Sequence, residues 1–258
     1  MALLNLQKES IKNYLISKIR EKLQGYDPET TSMPFHFRLL GKDRMALFSF
    51  IHSVNTMLGQ SVFEKVARIM AERRFKTAID QYKQFEGYIS RDAVLTIDSI
   101  MRSLRDASRK PGKAKETKEV LDVAQSGNLG KKIKRRIDLF LVDNTGKEYY
   151  FELKTAKPNI REFVGIKKEL MEWVAMRGST NRDVVLTTIL AIPYNPYEPK
   201  PYERWTLQGL FDLNQEILVG QEFWDFIGGA GAYDDLLDVF ESAGIQLREE
   251  IDQKMAEI

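Results

Sequence analysis

The chain has 258 residues, 43% of them hydrophobic, with 39 Lys and Arg against 37 Asp and Glu and no cysteine. This is enough apolar material for a full core in one large domain, or one domain with a helical extension, while no apolar run approaches the roughly 20 residues of a membrane-spanning helix. Lack of Cys excludes disulfides, thiolate metal sites and cysteine nucleophiles, and the N-terminus shows no basic stretch followed by an apolar leader, so a cytoplasmic protein without membrane attachment is expected.

The net charge of +2 hides an uneven distribution. Residues 102–136 carry twelve Lys and Arg against four Asp and Glu, whereas residues 212–258 carry two against twelve. A local basic surface suits a polyphosphate partner, because affinity for one comes largely from released counterions. Lys131, Lys132, Lys134 and Arg135 are the cations of that stretch nearest the hairpin described below, and are candidate DNA contacts. The alternative for residues 109–118 is a solvated loop.

In chain order, Leu4, Ile11, Leu15, Ile16, Ile19 and Leu23 recur at helical spacing, and Gly25 with Pro28 ends the pattern. This helix has the character of a packing or dimer-forming element. A second helix is predicted from Asp43, as N-cap, to Leu58, stopped at Gly59, and a third from Ser61 through Arg74 or beyond. Helical patterns are also read over residues 75–86 and 91–108. The stretch around Pro111 and Gly112 reads as a linker, as do residues 127–130. No repeat or low-complexity region interrupts the chain.

Residues 137–142 and 149–153 are rich in β-branched and aromatic side chains, and Asp143-Asn144-Thr145-Gly146 lies between them with Gly where a three-residue hairpin loop needs positive φ. If Asp143 pairs with Lys147, cross-strand partners sum to 290 and Asp138 falls opposite Glu152. Directly opposed residues hold their Cβ atoms roughly 4.5–5.5 Å apart on one face. Strand alternation sends Glu152 and Lys154 to that face while Phe151 and Leu153 point the other way. Two carboxylates and an ammonium therefore converge. Such a pair of acids suits Mg²⁺, which typically takes one or two carboxylates and completes its shell with water and phosphate oxygens, and a nearby Lys can offset charge developing on phosphorus or orient water.

Glu-x-Lys alone is weak, and it occurs three times, at Glu116/Lys118, Glu152/Lys154 and Glu198/Lys200. The first sits in a polar run, and the last is hemmed by Pro196, Pro199 and Pro201, which disfavour a central strand. Only Glu152 has the opposed aspartate. The bland alternatives are a strand-end carboxylate for Asp138 and a surface pair for Glu152 and Lys154. Asp138 nevertheless lies in an apolar run, where an unpaired acid is costly unless a cation or donor meets it.

After the hairpin, Pro158 leads a helix over residues 159–176, ended by Gly178. Residues 183–192 form a continuous apolar, β-branched run that suits a buried strand parallel to its predecessor, joined by a right-handed crossover. Arg161, Lys167 and Lys168 on the intervening helix are candidate phosphate or base contacts. The aromatic loop over residues 194–205 follows a strand's C-terminal end, where α/β sheets carry functional loops, and offers Asn195, Lys200 and Arg204 as base or phosphate contacts. His36 and His52 lack a partner at zinc-ligand spacing and are read as core histidines. The fold expected is α/β: a mixed central sheet flanked by helices, with a helical N-terminal third (residues 1–110), a sheet core (130–195) and a helical C-terminal part (196–258) within one domain.

The Asp138, Glu152 and Lys154 hairpin resembles the PD-(D/E)xK nuclease superfamily, with Ile137 in place of the leading Pro. Residues 35–64, from Phe35-His36-Phe37-Arg38-Leu39-Leu40-Gly41 to Ser61-Val62-Phe63-Glu64, look like the N-terminal signature of type II restriction endonucleases of the TdeIII and MjaII kind. A later block matches in Ile192-Pro193-Tyr194-Asn195-Pro196-Tyr197 and in Phe223-Trp224-Asp225-Phe226-Ile227-Gly228-Gly229, followed by Tyr233, Leu236 and Leu237. The resemblance spans residues 35–240. It implies a restriction-endonuclease-like fold and a Mg²⁺-dependent enzyme that cuts double-stranded DNA at a short interrupted palindrome, GGNCC in that family, as a homodimer alongside a cognate methyltransferase. It also implies Glu64 as a further helical acid near the metal, although a Glu early in a helix is ordinarily solvated and favoured by the helix dipole. Two other readings are a repair or recombination nuclease of the same superfamily and a non-catalytic DNA-binding protein on a nuclease scaffold.

Overall fold

The structure, a computed structural model, describes residues 2–27, 33–202 and 207–256. The chain divides into two compact units, residues 1–70 with 228–258, and residues 71–227. Pro28, one of the two residues expected to end the first helix, lies outside the described residues.

The first unit is helical. Helix α1 (Asn5–Gln24) is capped by Gly25 and packs along the long C-terminal helix α9 (Ala232–Ala256). Its predicted face is turned inward: Ile11, Leu15, Ile16 and Leu23 are buried. The acidic tail is anchored through Asp235, whose carboxylate accepts hydrogen bonds from the backbone N–H groups of Ala2 and Leu3 and from Lys8 Nζ at 2.5 Å. A short helix α2 (Pro34–Leu40) precedes α3 (Lys42–Met57), whose N-cap is Gly41 at φ +84°; Asp43 sits in the first turn instead of capping it. The expected stop at Gly59 is absent. The backbone passes through a π-helical turn (Leu58–Val62) straight into α4 (Phe63–Ala71), because one glycine costs a helix only about 1 kcal/mol.

The second unit holds a five-stranded mixed sheet in the order β1 (Thr77–Gly87), β2 (Ile133–Val142), β3 (Glu148–Leu153), β4 (Leu186–Ile192) and β5 (Ile217–Val219). The first two pairings are antiparallel and the last two parallel. The helical pattern read over residues 75–86 is corrected: this stretch is β1, paired with β2 along its length. A bulge between Tyr82 and Phe85, beside Gln81 at φ +50°, breaks the period-2 alternation that would have marked it as a strand.

The solvated-loop alternative for residues 109–118 is also corrected, and the linker around Pro111 and Gly112 is reduced to a short turn. After α5 (Arg91–Arg105), capped by Ser90, the chain turns at Gly112 into α6 (Lys113–Val123). Its Lys113 and Glu116 are buried, so the polarity of the run reports a charge network and not a solvated loop. Helix α7 (Ile160–Thr180) begins at Asn159, whose side chain accepts from the N–H groups of Arg161 and Glu162, while Glu162 reaches back to the Asn159 N–H. Pro158 thus lies just before the helix. Gly178 does not end α7. It is there for closeness, since a Cβ would stand 2.8 Å from both Leu121 and Ala124 of the α6 segment. The core runs between α5, α6, α7 and the sheet, through Ile97, Phe163, Trp173, Tyr150 and Leu190. Helix α8 (Gln221–Gly228) adds Phe223 and Phe226, which meet Phe151 from the other side of the sheet.

Candidate active site on the β2–β3 hairpin

The hairpin register is set locally by its turn. Asp143 Oδ1 accepts from the Thr145 and Lys147 N–H groups at 2.8 and 3.0 Å, the Asp143 N–H donates to the Lys147 carbonyl at 3.0 Å, and Gly146 takes φ +88°. From there Val142 pairs with Glu148 and Leu139 with Phe151. Continuing by one residue sets Asp138 opposite Glu152, as the turn implied, and Asp138 Oδ2 accepts the Leu153 N–H at 2.9 Å across the strands. Lys154 Nζ stands 2.5 Å from Glu152 Oε1, and Arg136 Nη2 lies 3.5 Å from Asp138 Oδ1. The three predicted groups are therefore together. The Lys154 N–H donates to the Ala191 carbonyl, fixing the strand end against β4.

The two carboxylates of the site perturb each other. Glu152 is buried, and burial together with the neighbouring Asp138 charge pushes its carboxyl up to about 7 despite the opposing Lys154 ammonium. Burial works against the Lys154 charge, but Glu152, Asp138 and Glu169 outweigh it and leave the ammonium held more tightly than usual. Two facing carboxylates, one of them reluctant to ionise, are what a hard divalent cation with oxygen preference would relieve, so the donor set fits Mg²⁺. Among the described residues no group of three or more His, Cys, Asp or Glu side chains is placed to hold a metal; two carboxylates with water and phosphate oxygens remain sufficient for this ion.

Glu169 was missed by sequence reasoning. Burial raises its pKa, Arg135 and Lys154 oppose the rise, and its charge is felt at Glu152 and Lys154. The crossover geometry carried the signal. Arg177 of α7 bonds Glu148 at the start of β3 with two hydrogen bonds of 2.8 Å. Eight residues back along the helix is about 12 Å, and four residues forward along the strand is about 13 Å, so Glu169 arrives level with Glu152.

The other candidates scatter. Lys167 is corrected: it is wholly buried, with Nζ 2.6 Å from Glu116 and 2.5 Å from Glu216, and cannot contact DNA. Lys168 is half exposed and pairs with Asp98 at 2.9 Å. Arg135 meets Glu172 at 3.3 Å and Lys132 meets Glu86, while Lys131, Lys134 and Arg161 are exposed. The Asn195 amide is engaged within its own loop, donating to the Lys200 carbonyl at 2.7 Å and accepting the Tyr197 N–H at 3.0 Å. Arg204 lies outside the described residues. Tyr202 in the same loop donates to the Ala156 carbonyl, two residues beyond Lys154, at 2.7 Å. A cleft of about 310 Å³ opens there, lined by Asn195, Glu198, Tyr202, Ile217 and Gln221. Glu64 belongs to the first unit, buried in the first turn of α4 and not solvated. His36 and His52 are exposed, not core; His52 stacks on Phe48.

Opposed acids and a lysine at the end of a strand in a mixed α/β sheet are the marks of a phosphodiester-cleaving enzyme, and comparison with known proteins places the chain within that class. The family model described as "Type II restriction endonuclease, HinfI" matches residues 4–244. The type II restriction enzyme HgiEI of Herpetosiphon aurantiacus is 26% identical over 99% of both chains. HgiCII of the same organism is 27% identical over 86% of this chain and 81% of its own. MjaII of Methanocaldococcus jannaschii is 26% identical over 92% of this chain and 70% of its own. The chain belongs to the HinfI family of type II restriction endonucleases, and with them is a hydrolase, a site-specific deoxyribonuclease.

Proposed function

We propose that the chain hydrolyses both strands of DNA at a short interrupted palindrome, with Asp138, Glu152 and Lys154 as its catalytic groups and Mg²⁺ as its metal. The observation that carries this is the hairpin register, which opposes the two carboxylates and brings the Lys154 ammonium within 2.5 Å of one of them. Asp138 and Glu152 would hold the cation, which supplies Lewis-acid polarisation of the scissile phosphate. Lys154 orients the attacking water and offsets the negative charge that grows on the phosphoryl oxygens. In-line attack opposite the 3′ oxygen leaves 5′-phosphate and 3′-hydroxyl ends. The family resemblance implies Glu64 as a further acid of the catalytic machinery.

A GGNCC-like site follows the TdeIII/MjaII resemblance. The two strands of a palindrome present equivalent bonds, so a homodimer with matching two-fold symmetry is the expected working form. Lys131, Lys134 and Arg161 are exposed cations available to phosphates, and the loop carrying Asn195, Lys200 and Arg204 is the proposed base reader. A cognate methyltransferase would guard the same sites in the host, and the cytoplasm is the compartment where both act.

Digestion of unmethylated phage DNA tests this. Discrete fragments sharing one short palindromic end, 5′-phosphorylated and abolished by chelation and by Asp138→Ala, are expected. A smear, or cutting confined to branched DNA, would favour a repair or recombination nuclease. Metal-independent DNA binding with no cut under varied metals and salt would favour a non-catalytic binder.

A further inference from the structure

The first unit displays apolar side chains that its own packing does not use. Helix α2 buries no residue at all. Its Phe35 and Leu39, one helical turn apart, are 84% and 83% exposed. In α3 the inward face is Met45, Ala46 and Phe50, all buried, yet the opposite face presents Leu47, Phe48 and Ile51, each about half exposed. Single exposed apolar residues are ordinary. Here five stand on two helices that pack beside each other across Gly41, and a helix of seven residues has little stability of its own in water.

We propose that this face of α2 and α3 is the surface through which two copies of the chain associate. The inference rests on the two-fold reading given above and locates it on the molecule. Taking typical side-chain areas, the five residues expose roughly 500–600 Å² of apolar surface, at the top of the range for the largest patch on a monomer. With its polar margin this approaches the roughly 800 Å² per partner of a stable interface. Exposed charges of both signs, Arg38, Lys42, Asp43 and Arg44, accompany the apolar side chains on the same two helices; interfaces between proteins combine an apolar centre with polar residues around it. A DNA-binding face would instead need cations at its centre. An isologous contact meets its own patch and needs no second complementary surface.

The test is sedimentation of the full chain and of two variants, Leu39→Glu and Phe48→Glu, at concentrations spanning the wild-type dissociation constant. Both side chains are exposed, so thermal unfolding of the monomer should be unchanged. Each variant should raise the dissociation constant by about 30-fold or more, as loss of an interface anchor does. Leu237→Glu and Ile245→Glu, at exposed apolar positions of α9, should leave it in place. A wild-type chain that stays monomeric with and without DNA overturns the two-fold reading and this surface with it. A wild-type dimer that survives both substitutions overturns the surface alone. Variants that remain dimeric but lose DNA affinity assign the face to DNA, and overturn it equally.

Discussion

Two clusters of charge sit on the same unit and are built on opposite plans. Around Lys113, Glu116, Lys167 and Glu216 two ammonium groups meet two carboxylates with almost no access to water. Lys113 Nζ bonds Thr188 Oγ1 and Glu216, Lys167 bonds Glu116 and Glu216, and the Gly112 N–H closes on Glu116. The charges match in number, and neighbouring polar groups complete the bonding. At Asp138, Glu152 and Lys154 the cations stand on the open side: Lys154, 39% exposed, pairs with Glu152, and Arg136, 43% exposed, lies 3.5 Å from Asp138, with Glu169 in electrostatic reach. A closed, neutral network holds α6, α7 and the strand ends in place. The open one, with its carboxylates facing each other and its cations reaching solvent, is the proposed place for a cation and a phosphate, and that openness is what distinguishes the two plans.

Substitutions should divide along that line. Removing either acid of the open cluster, by Asp138→Ala or Glu152→Ala, should slow DNA cleavage by about 10³-fold or more, and Lys154→Ala by about 10²–10³-fold. Denaturant midpoints should move less than in the closed cluster, because burial and the Asp138 charge already work against the Glu152 carboxylate and Lys154 keeps access to solvent. Lys167→Met in the closed cluster should do the reverse. It leaves two buried carboxylates with Lys113 as the one remaining ammonium of the cluster and should cost about 3–5 kcal/mol in urea unfolding, with DNA affinity per folded molecule unchanged.

A smaller effect of opposite sign is expected from Glu152→Gln. The Glu152 pKa, raised to about 7 by burial and Asp138, lies above its ordinary value of 4.5. The folded state therefore keeps a proton the unfolded chain has lost, and ionisation at higher pH opposes folding. Metal-free Glu152→Gln should be more stable than wild type by about 1 kcal/mol at pH 8, the gain fading as pH falls from about 7 and gone below about 4.5. Glu216 behaves in the other direction. Burial pushes its pKa up, but Lys113 and Lys167 outweigh it and hold the carboxyl below its ordinary range. Its contribution is present above about pH 4.5 and is lost as pH falls through the lowered value, so urea midpoints should drop in acid. Glu216→Gln should flatten that acid limb while lowering stability at neutral pH.

The open cluster was legible in the sequence because it is local. Asp138, Glu152 and Lys154 are fixed by strand alternation and by one turn, Asp143 to Lys147, whose side-chain bonds set the register. Helices α1, α5 and α7 were legible for the same reason, their apolar spacing and caps being internal to each segment. The closed cluster was not, because Lys113, Glu116, Lys167 and Glu216 come from three distant stretches and look individually like solvated charges. Only the fold shows that each meets its opposite, which is why Lys167 read as a DNA contact and the start of α6 as a possible solvated loop. Strand β1 was hidden by its bulge, and Glu169 by its dependence on where α7 crosses the sheet.

The most direct test of the catalytic assignment is single-turnover cleavage of a duplex carrying the mapped site, comparing wild type with Asp138→Ala after both are shown to bind that duplex in Ca²⁺. Binding retained with the cleavage rate reduced by about 10³-fold or more is the expected result. Cleavage by the variant at the wild-type rate would contradict the assignment of the hairpin as the active site.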